Sequence, residues 1–204
     1  MACESALTVR TPGWHDLFNV LAWAAWPGAK ASLNVRHVIE LDRQAGPKRS
    51  PARDALTQFD EDGVIVAVSD PTLEQLAREV RWKELFWQHR AELANGLRVF
   101  VFGHALAEKL LAPFVGLTAK AVFVRVEEGF GTLDLDQRRE RLDERVATLL
   151  RAPGSFASPR DLAPLPVLGM PGWWADGESE CFYDDDSYFR AGRTRTTRSS
   201  DGRS

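Results

Sequence analysis

The Trp26-Pro27 step lies in the most constrained stretch of this chain, Trp14 to His37. Proline is accepted at the first position of a helix and pushes the residue before it out of the α region. The stretch therefore reads as two helices meeting at Pro27. It holds three of the seven tryptophans and two of the four histidines. On the first helix His15, Asn19, Trp23 and Trp26 share one stripe, while Leu17, Val20, Leu21 and Ala24 form a second that reads as core. On the second helix Lys30, Asn34, His37 and Leu41 share a face. Folded as a hairpin, the two helices would turn both polar stripes into one cleft. The same residues also suit a plain structural role, with His15 and Asn19 capping or buried in a network and Lys30 and His37 solvated, because buried polar groups are paired whether or not they do chemistry.

Downstream, residues 43–53 form a basic, Gly/Pro-rich connector in which Lys48, Arg49 and Arg53 are candidate anion contacts. Residues 56–69 read as a hairpin turning at Asp62-Gly63, with Val64 to Val68 as its strand. Here Asp60, Glu61 and Asp62 belong to an acidic turn, and Asp54 is either a partner of Arg53 or a working carboxylate. Asp70-Pro71 starts a helix, and residues 72–95 hold two helices broken near Val80-Arg81. His89 sits in an aromatic stripe with Trp82, Leu85, Phe86 and Leu93, so it reads as a core histidine. Leu97 to Phe102 is a strand, Gly103 a tight turn, His104 to Leu111 a helix and Ala119 to Val126 a strand. This unit suggests a short parallel crossover with His104 just past a strand end, where ligands tend to bind. Glu108 stands one turn further, on the same face as His104. Leu133 to Arg151 is a charged helix covering the sheet.

Together these elements predict an α+β fold: a helix-rich single domain over residues 1–190, with a small mixed sheet of about four strands covered by helices. Its aromatic-rich end, with Trp173, Trp174, Phe182, Tyr183 and Phe189, is irregular and wraps the core. The Arg/Thr/Ser/Gly composition of 191–204 predicts a disordered tail. A formal net charge of −3 gives no electrostatic case for nucleic-acid binding. Cys3 and Cys181 make neither a metal spacing nor a disulfide framework, which suits a reducing cytoplasm. No signal peptide is legible, and no apolar run is long enough for a membrane span.

Several strings carry a resemblance. They are Trp14-His15-Asp16-Leu17-Phe18-Asn19 with the following Trp-Pro, Arg53-Asp54-Ala55-Leu56-Thr57, Phe102-Gly103-His104-Ala105-Leu106, and Pro166-Val167-Leu168-Gly169-Met170-Pro171-Gly172-Trp173. Together they cover most of the chain and resemble a bacterial family of proteins of unknown function, the domain of unknown function family 3025. The resemblance implies no activity. It implies that family members carry a longer segment before the Trp-His-Asp motif than the leader present here.

The sequence holds no phosphate-binding glycine loop, no dinucleotide fingerprint and no Gly-x-Ser-x-Gly elbow. His15-Asp16 has no upstream histidine to complete a His…His-Asp…Asp phosphohydrolase set. An active centre would have to be assembled from separate segments. The candidate catalytic residues are His15, Asp16, His104 and Glu108; the candidate substrate contacts are Asn19, Lys30, Asn34, His37, Arg53 and Asp54. Such a set suits hydrolysis of a small anionic molecule, phosphorylated or acidic, and leaves room for a divalent metal. The alternative is a non-catalytic ligand- or protein-binding module with a structural polar network.

Overall fold

The computed structural model of the protein describes residues 13–43 and 46–190. The leader and the tail expected to be disordered lie outside the described residues.

Helices α1 (Trp14–Ala25) and α2 (Pro27–Asp42) meet at Trp26, whose φ of −129° and ψ of 55° break the helical path. Trp26 is buried, and its indole N–H donates to the Val101 carbonyl at 3.0 Å. Trp26 supplies no side-chain cap to α2. The cap comes from α7 (Leu135–Arg151), where Asp143 accepts from the N–H groups of Gly28 and Ala29, each at 2.8 Å. A Cβ on Gly28 would stand only 2.9 Å from that carboxylate. One turn earlier on α7, Arg139 donates to the Ala25 carbonyl at 2.8 Å. A carboxylate thus meets the amino end of α2 and a guanidinium the carboxyl end of α1, as their dipoles require.

The anchored Trp26 also sets the rotation of α1. Counting back by helical turns, Ala22, Phe18 and His15 face the body. The stripe expected to be core is outside: Leu17, Val20, Leu21 and Ala24 are all exposed.

The expected hairpin at 56–69 is instead a helix followed by a strand. Helix α3 (Pro51–Asp62) starts with Ser50, whose hydroxyl accepts from the Arg53 N–H at 3.2 Å, and with Pro51 at its first position. Ala52, Ala55, Leu56 and Phe59 are buried at the i, i+3, i+4, i+7 spacing of a helix face. That apolar stripe carries the helix through Asp62, so Gly63 opens β1 (Gly63–Val68) and turns no hairpin. After β1 come α4 (Pro71–Arg78), a break at Val80 with φ of 55°, a π-helical turn at Glu84–Gln88, and α5 (Arg90–Gly96).

The remaining strands are β2 (Leu97–Val101), β3 (Thr118–Arg125) and β4 (Ala163–Pro166), in the sheet order β2-β1-β3-β4. β1 runs parallel to β3 and antiparallel to β2, and β4 is antiparallel to β3. The expected parallel crossover from β2 to β3 is therefore absent. Val101 lies opposite Val64 and Lys120 opposite Gly63, so β2 leaves and β3 enters at the same end of the sheet. The six-residue helix α6 (His104–Lys109) bridges that end without returning the chain along the sheet.

β1 is buried along its whole length because both faces are covered. Val64, Val66 and Val68 pack with Leu73, Phe86 and the C-terminal aromatics, whereas Ile65 and Ala67 pack with Leu56, Phe59, Trp26 and Phe102. Tyr188 ties the irregular C-terminal segment down, donating to the Leu117 carbonyl at 2.8 Å and accepting from the Leu168 N–H at 3.0 Å. This is an α+β architecture with a four-stranded mixed sheet. Among the described residues no helix is long and apolar enough to cross a membrane.

The Asp143 cap yields a stability prediction. Asp143→Ala leaves one buried and one half-buried helix-start amide without an acceptor and is expected to cost about 2 kcal/mol in urea denaturation. Asp143→Asn, which keeps an acceptor, should cost less.

Candidate functional site

Helix α3 ends on Asp60, Glu61 and Asp62 with no basic residue in its last turn. A helix carboxyl end already carries partial negative charge and unpaired carbonyls. Other elements supply the compensation. Lys30 of α2 donates to Asp60 Oδ1 at 2.7 Å, and Lys109 of α6 pairs with Asp62 at 2.6 Å. His104 Nδ1 lies 2.9 Å from the Asp60 carbonyl oxygen. Glycine lets α6 come this close: a Cβ on Gly103 would sit 2.3 Å from the Glu61 carbonyl oxygen. The Gly103 N–H donates to the Gly63 carbonyl at 2.9 Å, which fixes the approach.

These contacts define the state of His104. A carbonyl oxygen can only accept, so Nδ1 carries the proton and Nε2 is left as the base of the neutral ring. His104 is 7% exposed. Burial pushes its pKa below the usual 6.5, Lys30 and His15 add to that, and Asp60 opposes it. The His15 ring lies edge-on to His104, with 4.6 Å between centroids and an interplanar angle of 73°. His15 is itself exposed, and its Nδ1 is 3.4 Å from Glu108 Oε2. The surface thus shows an imidazole beside a carboxylate, backed by a second, buried imidazole in a fixed tautomer. Such a set can accept, hold and return a proton.

The structure brings His15, Lys30, His104 and Glu108 into one cluster. Glu108, which sequence spacing places with His104, faces His15 instead. Lys30 is almost wholly buried between Asp60 and the Phe102 ring, 4.7 Å from the ring centre. His37 stands at the edge of the cluster, where burial lowers its pKa, Arg49 and Arg53 reinforce that, and Asp60 opposes it. Asp16 is used locally, accepting from the Gly13 N–H at 3.2 Å. Asp54 pairs with Arg49 at 3.2 Å. Asn19 is half-buried one turn beyond His15, and Asn34 is exposed on α2. His89 is half-buried at the end of the π-helical turn.

Asp60 is the residue that sequence reasoning missed. The Asp62-Gly63 pair was legible as a turn signal, and the acids before it took their meaning from that. The Ala52, Ala55, Leu56, Phe59 spacing is the signal that would have placed Asp60 on a helix end. Among the described residues no group of three or more His, Cys, Asp or Glu side chains is placed to hold a metal ion.

The fold and this cluster describe an α+β domain in which two histidines, a lysine and a glutamate from three helices meet. The chain belongs to the family described as protein of unknown function, DUF3025, whose profile matches residues 1–193. No curated protein and no solved structure matches it.

The lowered pKa values of His37 and His104 set a pH dependence. Below 6.5 the unfolded chain takes up protons that the folded rings refuse, so stability is full above 6.5 and falls as the pH drops below it. Thermal melts across that range should show this loss. His104→Gln should flatten it, because one of the two rings that must be kept neutral is gone.

Proposed function

We propose that this protein is a hydrolase-like enzyme for a small anionic substrate, phosphorylated or acidic, with His15 as the acid–base group that meets the substrate. The observation that carries this is the exposed His15–Glu108 pair at 3.4 Å, set edge-on against a His104 ring whose tautomer is fixed. Glu108, 3.4 Å away, orients His15. His104 lies behind it, and its unprotonated Nε2 serves as an internal proton acceptor. Lys30 has no surface to offer a substrate and acts through Asp60. His37, kept neutral by burial, can only hydrogen-bond at the margin, and Arg53 nearby is the basic group that favours an anion.

The second reading is a non-catalytic binding module, and the depth of Lys30 favours it. A buried ammonium held by one carboxylate and one aromatic ring fixes α2 to α3 whether or not chemistry follows.

Two measurements separate the readings. Inorganic phosphate should shift the His15 ring resonances saturably in an NMR titration, and chromogenic phosphate and acyl esters should show turnover by the wild-type chain. His15→Gln should lower that turnover about 100-fold or more, and Glu108→Gln should lower it less. Saturable phosphate binding with no turnover supports the binding module. Neither binding nor turnover leaves a structural network.

A further inference from the structure

The other end of the sheet holds a feature that the histidine cluster does not use. A cavity of about 620 Å³ opens where β1 and β3, the parallel pair, reach their carboxyl ends. In sheets with parallel strands that end is where ligands bind. Its size is within the range of small-molecule sites.

Arg98 of β2 lines this cavity. Its strand position faces Ala67, whose small side chain leaves the guanidinium room. On another side lies Gly131, where a Cβ would stand 3.5 Å from an Arg98 terminal nitrogen. The Arg98 Nε is buried and has no hydrogen-bond partner. Among the described residues no carboxylate forms an ion pair with this guanidinium. Among the described residues, Arg36, Arg78, Arg81, Arg90, Arg141 and Arg145 each hold a carboxylate, whereas Arg138, Arg151 and Arg190 are answered by a carbonyl or a hydroxyl. A buried charged donor without an acceptor is costly, and native structures answer it with a partner.

The acids of the same cavity fall into two groups. Asp70 caps the Thr72 N–H at 2.7 Å, and Glu127 is held by Arg141 and Arg145. Glu92 and Glu128 line the rim, are exposed, and form no ion pair among the described residues. The cavity therefore offers one unanswered cation inside and two unanswered anions at its mouth.

We propose that this cavity is a second ligand site, distinct from the histidine cluster, for a small zwitterion of the amino-acid class. The carboxylate of the ligand takes the Arg98 fork, where planar two-point pairing is available. Its ammonium lies toward Glu92 and Glu128. A simple dianion fits less well, because the rim repels it.

The test is a thermal-shift and calorimetric titration with the common L-α-amino acids one at a time, alongside acetate and inorganic phosphate. At least one amino acid should raise the melting temperature saturably. Arg98→Met should weaken that binding about 30-fold or more, while the ligand-free protein stays as stable as the wild type or becomes more so. The Glu92→Gln, Glu128→Gln double variant should weaken the amino acid and leave acetate unchanged. His15→Gln should leave all of these values unchanged, which separates this site from the acid–base cluster. Three results would overturn the proposal: no amino acid binds saturably, phosphate or acetate binds as tightly as the best amino acid, or Arg98→Met unfolds the ligand-free protein.

Discussion

The carboxyl end of α3 is the constraint on which this structure turns. Three consecutive acids at a helix terminus, with no base in the last turn, stack like charge on an already negative dipole. The helix cannot correct this from within. The chain brings an ammonium from α2, a second from α6 and an imidazole N–H from the start of α6 to that one point. What holds α2, α3 and α6 together is therefore the same set of groups that fixes the chemistry of His104. Stability and site are one arrangement here, so neither can be altered alone at Asp60 or Lys30.

A second arrangement of the same kind holds the kink between the first two helices. Pro27 makes the break but leaves α2 without a local cap. Asp143 and Arg139, one helical turn apart on α7, then serve the two helix ends that face each other there. The long charged helix that reads as sheet cover is also the clamp that sets the angle of α1. That angle decides whether His15 reaches His104.

The fold class, the two helices meeting at Pro27, the break at Val80 and the wrapped aromatic end were legible in the sequence because each has a local cause. Proline chemistry, apolar spacing and aromatic density do not depend on distant partners. The errors arose where two local signals competed or where pairing decided. At Asp62-Gly63 a turn signal outweighed a helical stripe that was also present. On α1 the apolar stripe of Leu17, Val20, Leu21 and Ala24 competes with the stripe that carries His15 and Trp26, and only the burial of Trp26 selects between them. The direction of β2 against β3 depends on which neighbour β1 accepts, which no local pattern states. Among the site residues, the meeting of His15 with His104 was an expectation from their separate contexts. The role of Asp60 was hidden because its backbone carbonyl, and not its side chain, orients His104. Arg98 gave no sequence signal, since the missing partner of its buried Nε is visible only once the strands are assembled.

The bond from His104 to Asp60 spans 44 residues, and that from Lys30 spans 30. Closing such loops is entropically costly and precedes any gain from the contacts made. The β2–α6 segment cut from its surroundings would carry an ordinary imidazole, free to exchange its proton between either nitrogen. The fixed tautomer is thus a property of the whole assembled chain. A reporter on that one ring would record the completion of folding across the first hundred residues.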